Sequence, residues 1–207
     1  MSLNVVFVRH GETVWHAENR YAGVSDVALT DRGYAQARAL ADWAEQADLT
    51  AVWASPLGRS QATARGSAER AGLLVQVDPR LRELDFGVAE GLTRTELQGR
   101  FPADLAAFHD DPVQHHFPKG EHPQNATDRY LAFLAELENS HQDGRILVVG
   151  HSTAIRLALC HLLAIPLRRY RQTFPFLVNC ALNELSLRDG ASSLLTLNRP
   201  VTPGALT

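Results

Sequence analysis

The feature that most constrains this chain is an alternation of short apolar runs with longer segments of helical period. Asn4 to Val8 reads NVVFV, Ala51 to Ala54 reads AVWA, Leu74 to Val77 reads LVQV and Arg145 to Val149 reads RILVV. Runs that are apolar at nearly every position, and β-branched, are expected of strands covered on both faces. Between them, residues 31–46 place Tyr34, Ala37, Leu40, Ala41 and Ala44 at helical spacing behind Thr30, a good N-cap. Ser55-Pro56 is expected to open a second helix running to about Ala71, with Pro56 in its first turn. A third helix is expected from about Gln124 to Asn139, and a fourth from His151-Ser152 to about Ala164. Leu177 to Leu187 and Ser193 to Leu197 read as two closing strands, a hairpin around Asp189-Gly190, and the tail from Pro200 to Thr207 is expected to fray. Strand and helix in alternation predict an α/β fold, a three-layer sandwich with a mainly parallel sheet flanked by helices.

The stretch from 79 to 123 breaks the rhythm. It holds Gly87, Gly91, Gly99, Pro102, Pro112, Pro118 and Gly120, and it reads as short helices near 93–100 and 102–109 followed by a loop. With no repeat, low-complexity run or linker elsewhere, residues 1–207 are expected to form one domain, with 79–123 as an insertion over the active site. The 207 residues suffice for a large core, and the 45% hydrophobic content is that of a globular protein. A net charge of -3 gives no case for general nucleic-acid binding, and no apolar stretch is long enough to span a bilayer. The first residues lack the basic and apolar regions of a leader, so a cytoplasmic location is expected. Cys160 and Cys180 lie in apolar surroundings and read as buried reduced thiols. Pro175, Phe176 and the strand near Val178 are open between core and a homodimer interface.

In open α/β sheets, ligands bind at the carboxyl ends of the strands. The reactive residues predicted there are Arg9 and His10 after the first strand, Ser55 and Arg59 after the second, Arg82 and Glu83 after the third, and His151 and Ser152 after the fourth. Singly, each has an ordinary structural explanation: a loop histidine, a solvated helix arginine, a surface carboxylate. Together they suit phosphoryl transfer. Guanidinium groups match phosphate oxygens with forked, charge-assisted hydrogen bonds. A neutral imidazole serves as nucleophile, a carboxyl group protonates a departing oxygen, and a protonated second histidine stabilises charge on the phosphoryl oxygens. The helix start at Ser152 adds backbone N–H groups, a natural anion site.

These residues carry a family resemblance. Arg9-His10-Gly11-Glu12-Thr13, with Trp15, Asn19-Arg20, Gly23, Asp26 and Leu29-Thr30, resembles the N-terminal block of the histidine phosphatase superfamily, the phosphoglycerate mutase-like proteins. Ser55-Pro56-Leu57-Gly58-Arg59-Ser60 resembles its second-arginine helix, Leu81-Arg82-Glu83-Leu84-Asp85-Phe86-Gly87 its acid loop, and Val148-Val149-Gly150-His151-Ser152, with Arg156 beyond, its second-histidine strand end. The blocks keep the family's order over nearly the whole chain. The resemblance implies that His10 is the phosphorylated nucleophile, that Arg9, Arg59 and His151 bind the phosphoryl group, and that Glu83 is the general acid and then the base. It places Arg20 and Gly23 in the pocket lining and implies neither metal nor organic cofactor. The substrate expected is a small phosphorylated metabolite.

Two positions depart from the family pattern. His16 stands where an Asn amide usually contacts phosphate, and Ser152-Thr153 stand where glycines are common. The acid loop lacks the Glu-Arg-His-Tyr-Gly-like form of the mutases and the insertion is short, which resembles the phosphatase branch. Because all catalytic positions hold competent residues, a non-catalytic phosphate-binding protein is the weaker reading. A nucleotide-binding α/β protein would want a glycine-rich loop after the first strand, and Arg9-His10-Gly11-Glu12 supplies none. The His-rich segment 109–122 fits no compact metal pattern, and within it Lys119 or His122 is expected to meet a polar part of the substrate.

Overall fold

The computed structural model describes residues 2–188 and 190–201. Six strands form one sheet: β1 (Leu3–Arg9), β2 (Ala51–Ala54), β3 (Val75–Val77), β4 (Gly144–Gly150), β5 (Leu182–Arg188) and β6 (Ala191–Arg199). Their order is β3-β2-β4-β1-β5-β6, with β3, β2, β4 and β1 mutually parallel and β5 and β6 antiparallel to their neighbours. The predicted sandwich is therefore present, with a mixed sheet that is parallel through its centre. Successive residues of β1 point to opposite faces. Val5 and Phe7 join a large core with α5 (Pro123–Ser140), α6 (Ser152–Leu162) and the 79–123 stretch, while Val6 and Val8 join a smaller one with α1 (Asp31–Ala44) and α2 (Gly58–Arg70). Val5, Val6, Phe7 and Val8 are all fully buried, which is why that run carries no polar alternation.

Two helices of the 79–123 stretch match expectation, α3 (Arg94–Arg100) behind a Thr93 capping box and α4 (Pro102–Asp110). A short α7 (Tyr170–Thr173), entered through a turn at Leu167–Arg169, went unpredicted because four residues show no periodicity. Two boundaries differ most from the sequence reading. Helix α2 starts at Gly58, so Pro56 lies outside it, and Leu57 takes the N-cap place with extended backbone. The strand expected from Leu177 begins only at Leu182, because Cys180 adopts a positive φ of 57° and the chain from 177 to 181 wraps across the end of β1. There Leu177 O accepts from Arg9 Nη1 (2.9 Å), Cys180 N–H donates to Arg9 O (2.9 Å) and Asn179 Nδ2 donates to His10 O (2.6 Å). The closing hairpin forms, although Asp189 of its turn and residues 202–207 of the tail lie outside the described residues. Both cysteines are buried and free, and burial pushes the Cys160 and Cys180 thiols up to about 11 and about 12. Among the described residues, no helix is long and apolar enough to cross a membrane.

Candidate active site

Strands β1 and β4 run side by side and in register, with Arg9 beside Gly150, so the residues that follow them emerge together. The His10 N–H donates to Gly150 O (3.0 Å). The His10 ring is 5% exposed and lies 5.2 Å, centroid to centroid, from the His151 ring. Its Nδ1 is 2.7 Å from Gly11 O. A carbonyl only accepts, so Nδ1 carries the proton and Nε2 keeps its lone pair. Burial, then the charges of Arg59 and Arg9, hold the ring well below the ordinary histidine range and therefore neutral at physiological pH. Gly11 is required by close approach: a Cβ there would lie 2.5 Å from Gly33 O at the start of α1.

Arg59, in the first turn of α2 and 1% exposed, aims Nε at His10 Nε2 (3.2 Å). Its other nitrogens are anchored to backbone, Nη1 to Ser25 O and Nη2 to Gly23 O, both at 2.6 Å. That loop is in turn held by Glu90, which accepts from Val24 N, Ser25 N and Ser25 Oγ. Gly23 thus stands behind Arg59 and does not line the cavity. A Cβ there would fall 1.9 Å from Glu90 Oε1, so the loop, the carboxylate and the guanidinium fit only around glycine.

His151 is fully buried at the end of β4, and Nε2 lies 2.7 Å from Ser55 Oγ and 3.2 Å from Ser60 Oγ. Burial and then Arg59 favour the neutral ring in the unliganded protein. A bound phosphoryl dianion would reverse the local potential and favour the protonated form. At this site two buried nitrogens, His151 Nδ1 and Arg9 Nε, have no hydrogen-bond partner among the described residues. Buried donors are ordinarily satisfied, and an oxyanion would satisfy both kinds. Arg9 is lowered to about 10 by burial and by Arg156, so it remains a cation at neutral pH. Its Nη2 is 2.5 Å from His16 Nε2. His16 therefore turns inward, with Nδ1 2.8 Å from Thr13 Oγ1. Burial and Arg9 push it down to about 4, so it is a neutral partner of Arg9.

Glu83 is 3% exposed and held by three amides: Oε1 accepts from Leu84 N and Ala154 N, both at 2.8 Å, and Oε2 from Thr153 N at 2.9 Å. The start of α6 was expected to cradle the phosphoryl group. It holds the carboxylate instead, in keeping with the positive end of a helix dipole. The backbone of the acid loop is fixed from α5, where Arg129 donates to Arg82 O (2.7 Å) and Glu83 O (3.0 Å) while paired with Glu121 (2.9 Å).

Arg9, His10, His16, Arg20, Glu83 and Ser152 border one cavity of about 320 Å³, within the range of small-ligand sites. Arg59 and His151 stand behind His10, in contact with it or within a ring's width. Arg20 reaches the rim but is neutralised by Glu18 and Glu96. Neither Lys119 nor His122 lines the cavity: His122 caps α5 by accepting from Gln124 N (3.1 Å). Among the described residues, no group of three or more His, Cys, Asp or Glu side chains is placed to hold a metal ion. The sequence reading missed Asn179, which clamps His10, and the cavity residues Tyr21, Arg94 and Arg171. Arg156 was noted only as following the second histidine, and it too faces the cavity.

The sequence profile of the histidine phosphatase superfamily (branch 1) matches residues 5–200. A probable phosphoglycerate mutase, GpmB, of Enterobacter sp. is 35% identical over 187 residues, 90% of this chain and 86% of its own length. Phosphoserine phosphatase 1 of Hydrogenobacter thermophilus is 31% identical over 168 residues, 81% of this chain and 80% of its own. In three dimensions, a putative alpha-ribazole-5'-P phosphatase from Escherichia coli superposes with a TM-score of 0.88 at 26% identity, covering 97% of this chain and 98% of its own.

Proposed function

Because the chain belongs to branch 1 of the histidine phosphatase superfamily, we propose that it is a metal-independent phosphomonoester hydrolase that passes the phosphoryl group of a small metabolite through His10. The observation that carries this reading is the His10 ring itself. Nδ1 is bound to Gly11 O, Nε2 is unprotonated, and the guanidinium of Arg59 lies 3.2 Å from Nε2, where the phosphoryl oxygens would sit.

In the first step Nε2 attacks phosphorus in line with the ester oxygen. The N–P bond forms, the P–O bond breaks, and Glu83 gives its proton to the departing alcohol. Arg9, Arg59 and His151 stabilise the charge on the three phosphoryl oxygens. In the second step Glu83 takes a proton from water, the hydroxide oxygen bonds to phosphorus, and the N–P bond breaks. Inorganic phosphate leaves and neutral His10 is restored. Phosphatases among the similar proteins support hydrolysis, and so does the acid loop Glu83-Leu84-Asp85-Phe86-Gly87. Similarity to a probable phosphoglycerate mutase favours a second reading, return of the phosphoryl group to a bound acceptor.

The test is phosphate release in EDTA from p-nitrophenyl phosphate, phosphosugars, phosphoglycerates and a phosphopeptide, for the wild type and His10→Ala side by side. Release that persists in EDTA and vanishes in the variant is expected. Chelator-sensitive release, or a fully active variant, contradicts the proposal. Interconversion of phosphoglycerates without net release favours the mutase reading.

A further inference from the structure

The strap from Leu177 to Ala181 holds the end of β1, and what holds the strap lies on the last strand. Asn198 of β6 stands where the pairing of β5 and β6 shifts, at a φ of 50°, a left-handed backbone that Asn adopts more readily than most residues. Its backbone N–H donates to Asn183 Oδ1 (2.9 Å), and the fully buried Asn183 donates in turn to Phe7 O of β1 (3.1 Å). The Asn198 amide turns to the strap. Oδ1 accepts from Val178 N (2.9 Å), and Nδ2 donates to Phe176 O (3.2 Å). A donor and an acceptor set against the carbonyl of one residue and the amide two residues on reproduce the bonding of a neighbouring parallel strand. Asn198 does not border the cavity, and no step of the reaction uses it.

The Val178 N–H and the Leu177 C=O belong to one peptide group. That group is planar and trans, so its N–H and C=O point in opposite directions. Its N–H is fixed by Asn198, and its oxygen accepts from Arg9 Nη1 (2.9 Å). One rigid plane therefore links β6 to the guanidinium. Losing the bond at the N–H end frees the plane to rotate and swings the carbonyl off Nη1. Hydrogen bonds in such a chain also polarise one another, so the Asn198 contact makes Leu177 O a better acceptor. Arg9 has few other restraints: Nε has no hydrogen-bond partner among the described residues, and Nη2 meets His16.

We infer that Asn198 is a positioning residue of the phosphoryl site, acting through the Leu177–Val178 peptide to hold the Arg9 guanidinium where it meets the phosphoryl oxygens. The inference rests on the phosphatase reading for the role of Arg9, and on the hydrogen bonds alone for the relay.

Asn198→Gly keeps the left-handed backbone and removes both amide bonds. On p-nitrophenyl phosphate its kcat/KM should fall by about tenfold or more, with the fold retained by circular dichroism. A merely structural loss would lower activity whatever stands at position 9. The same substitution is therefore made in Arg9→Lys, whose ammonium cannot reproduce the fork. In that background the further loss should be under about twofold. Equal losses in both backgrounds, or unchanged kinetics in Asn198→Gly, overturn the relay and leave the phosphatase reading intact. The wild type supplies a measurement that needs neither a variant nor turnover. Coupling between two sites is reciprocal, so inorganic phosphate bound at Arg9 should slow hydrogen exchange of the Val178 amide severalfold. Exchange that saturating phosphate leaves unchanged overturns the relay. No release by the wild type from any phosphate ester, with Val178 exchange still slowed by phosphate, overturns the phosphatase reading alone.

Discussion

At the scale of single residues, the chemistry depends on which atom of each side chain is already engaged. Gly11 O engages one His10 nitrogen and leaves the other, the proposed nucleophile, with its lone pair free of a proton. Three amides aim the Glu83 carboxylate. Replacing it by Gln keeps an acceptor but removes the transferable proton, so Glu83→Gln should slow hydrolysis of alkyl phosphates by roughly two to four orders of magnitude. The loss should be much smaller for p-nitrophenyl phosphate, whose leaving group needs no protonation. Equal losses on both, measured as kcat, would contradict the acid role. The identity of these residues was legible because the reactive types recur at strand ends in family order. Their protonation was not. Sequence places His151 among the phosphoryl ligands and leaves its charge open, while full burial beside Arg59 favours the neutral ring. Sequence names the group, and only packing sets its solvation.

At the scale of elements, the site is assembled by loops that support one another across the sheet ends. Glu90 holds the 22–26 loop, that loop's carbonyls hold Arg59, and Arg59 meets His10. Gly23→Ala would drive a methyl group into Glu90 and loosen this chain of contacts. It should lower kcat/KM by about tenfold or more through misplacement of Arg59, with the fold retained by circular dichroism. Unchanged kinetics would show that Arg59 needs no such support. The acid loop has its own anchor in Arg129, about one-tenth exposed and paired with Glu121 of similar burial. Arg129→Met leaves Glu121 paired with Arg82 alone and the Arg82 and Glu83 carbonyls without their donor, and should cost about 2–3 kcal/mol in denaturant unfolding. A loss under about 1 kcal/mol would mean the pair behaves as a surface one. Most helices and strands were legible from periodicity. The 177–181 clamp was not, since Leu177 to Ala181 is apolar enough to read as strand while its backbone reverses at Cys180. Asn179, a polar residue inside that apolar run, was the visible signal.

At the scale of the whole molecule, the fold holds neutral histidines inside a ring of arginines, and its stability inherits a pH dependence from them. His10 and His151 lie well below the ordinary value and His16 is at about 4. Unfolded, each would titrate near about 6.5. As pH falls through that value, the unfolded chain binds protons that the native state excludes, so the native state loses stability. The slope is about 1.4 kcal/mol per pH unit for each proton of difference. Thermal unfolding should therefore shift to lower temperature as pH drops from about 7.5 to about 5. A flat melting temperature over that window would contradict the neutral, buried assignment. The same electrostatics makes the site ready for a dianion, and the central claim is that His10 receives the phosphoryl group. Rapid acid-free quenching during turnover of a phosphate ester, followed by mass spectrometry of the His10 peptide, tests it most directly. A phosphorylated His10 that forms and decays at the rate of turnover is the predicted result. Full turnover with no phosphoryl group on His10 would contradict it.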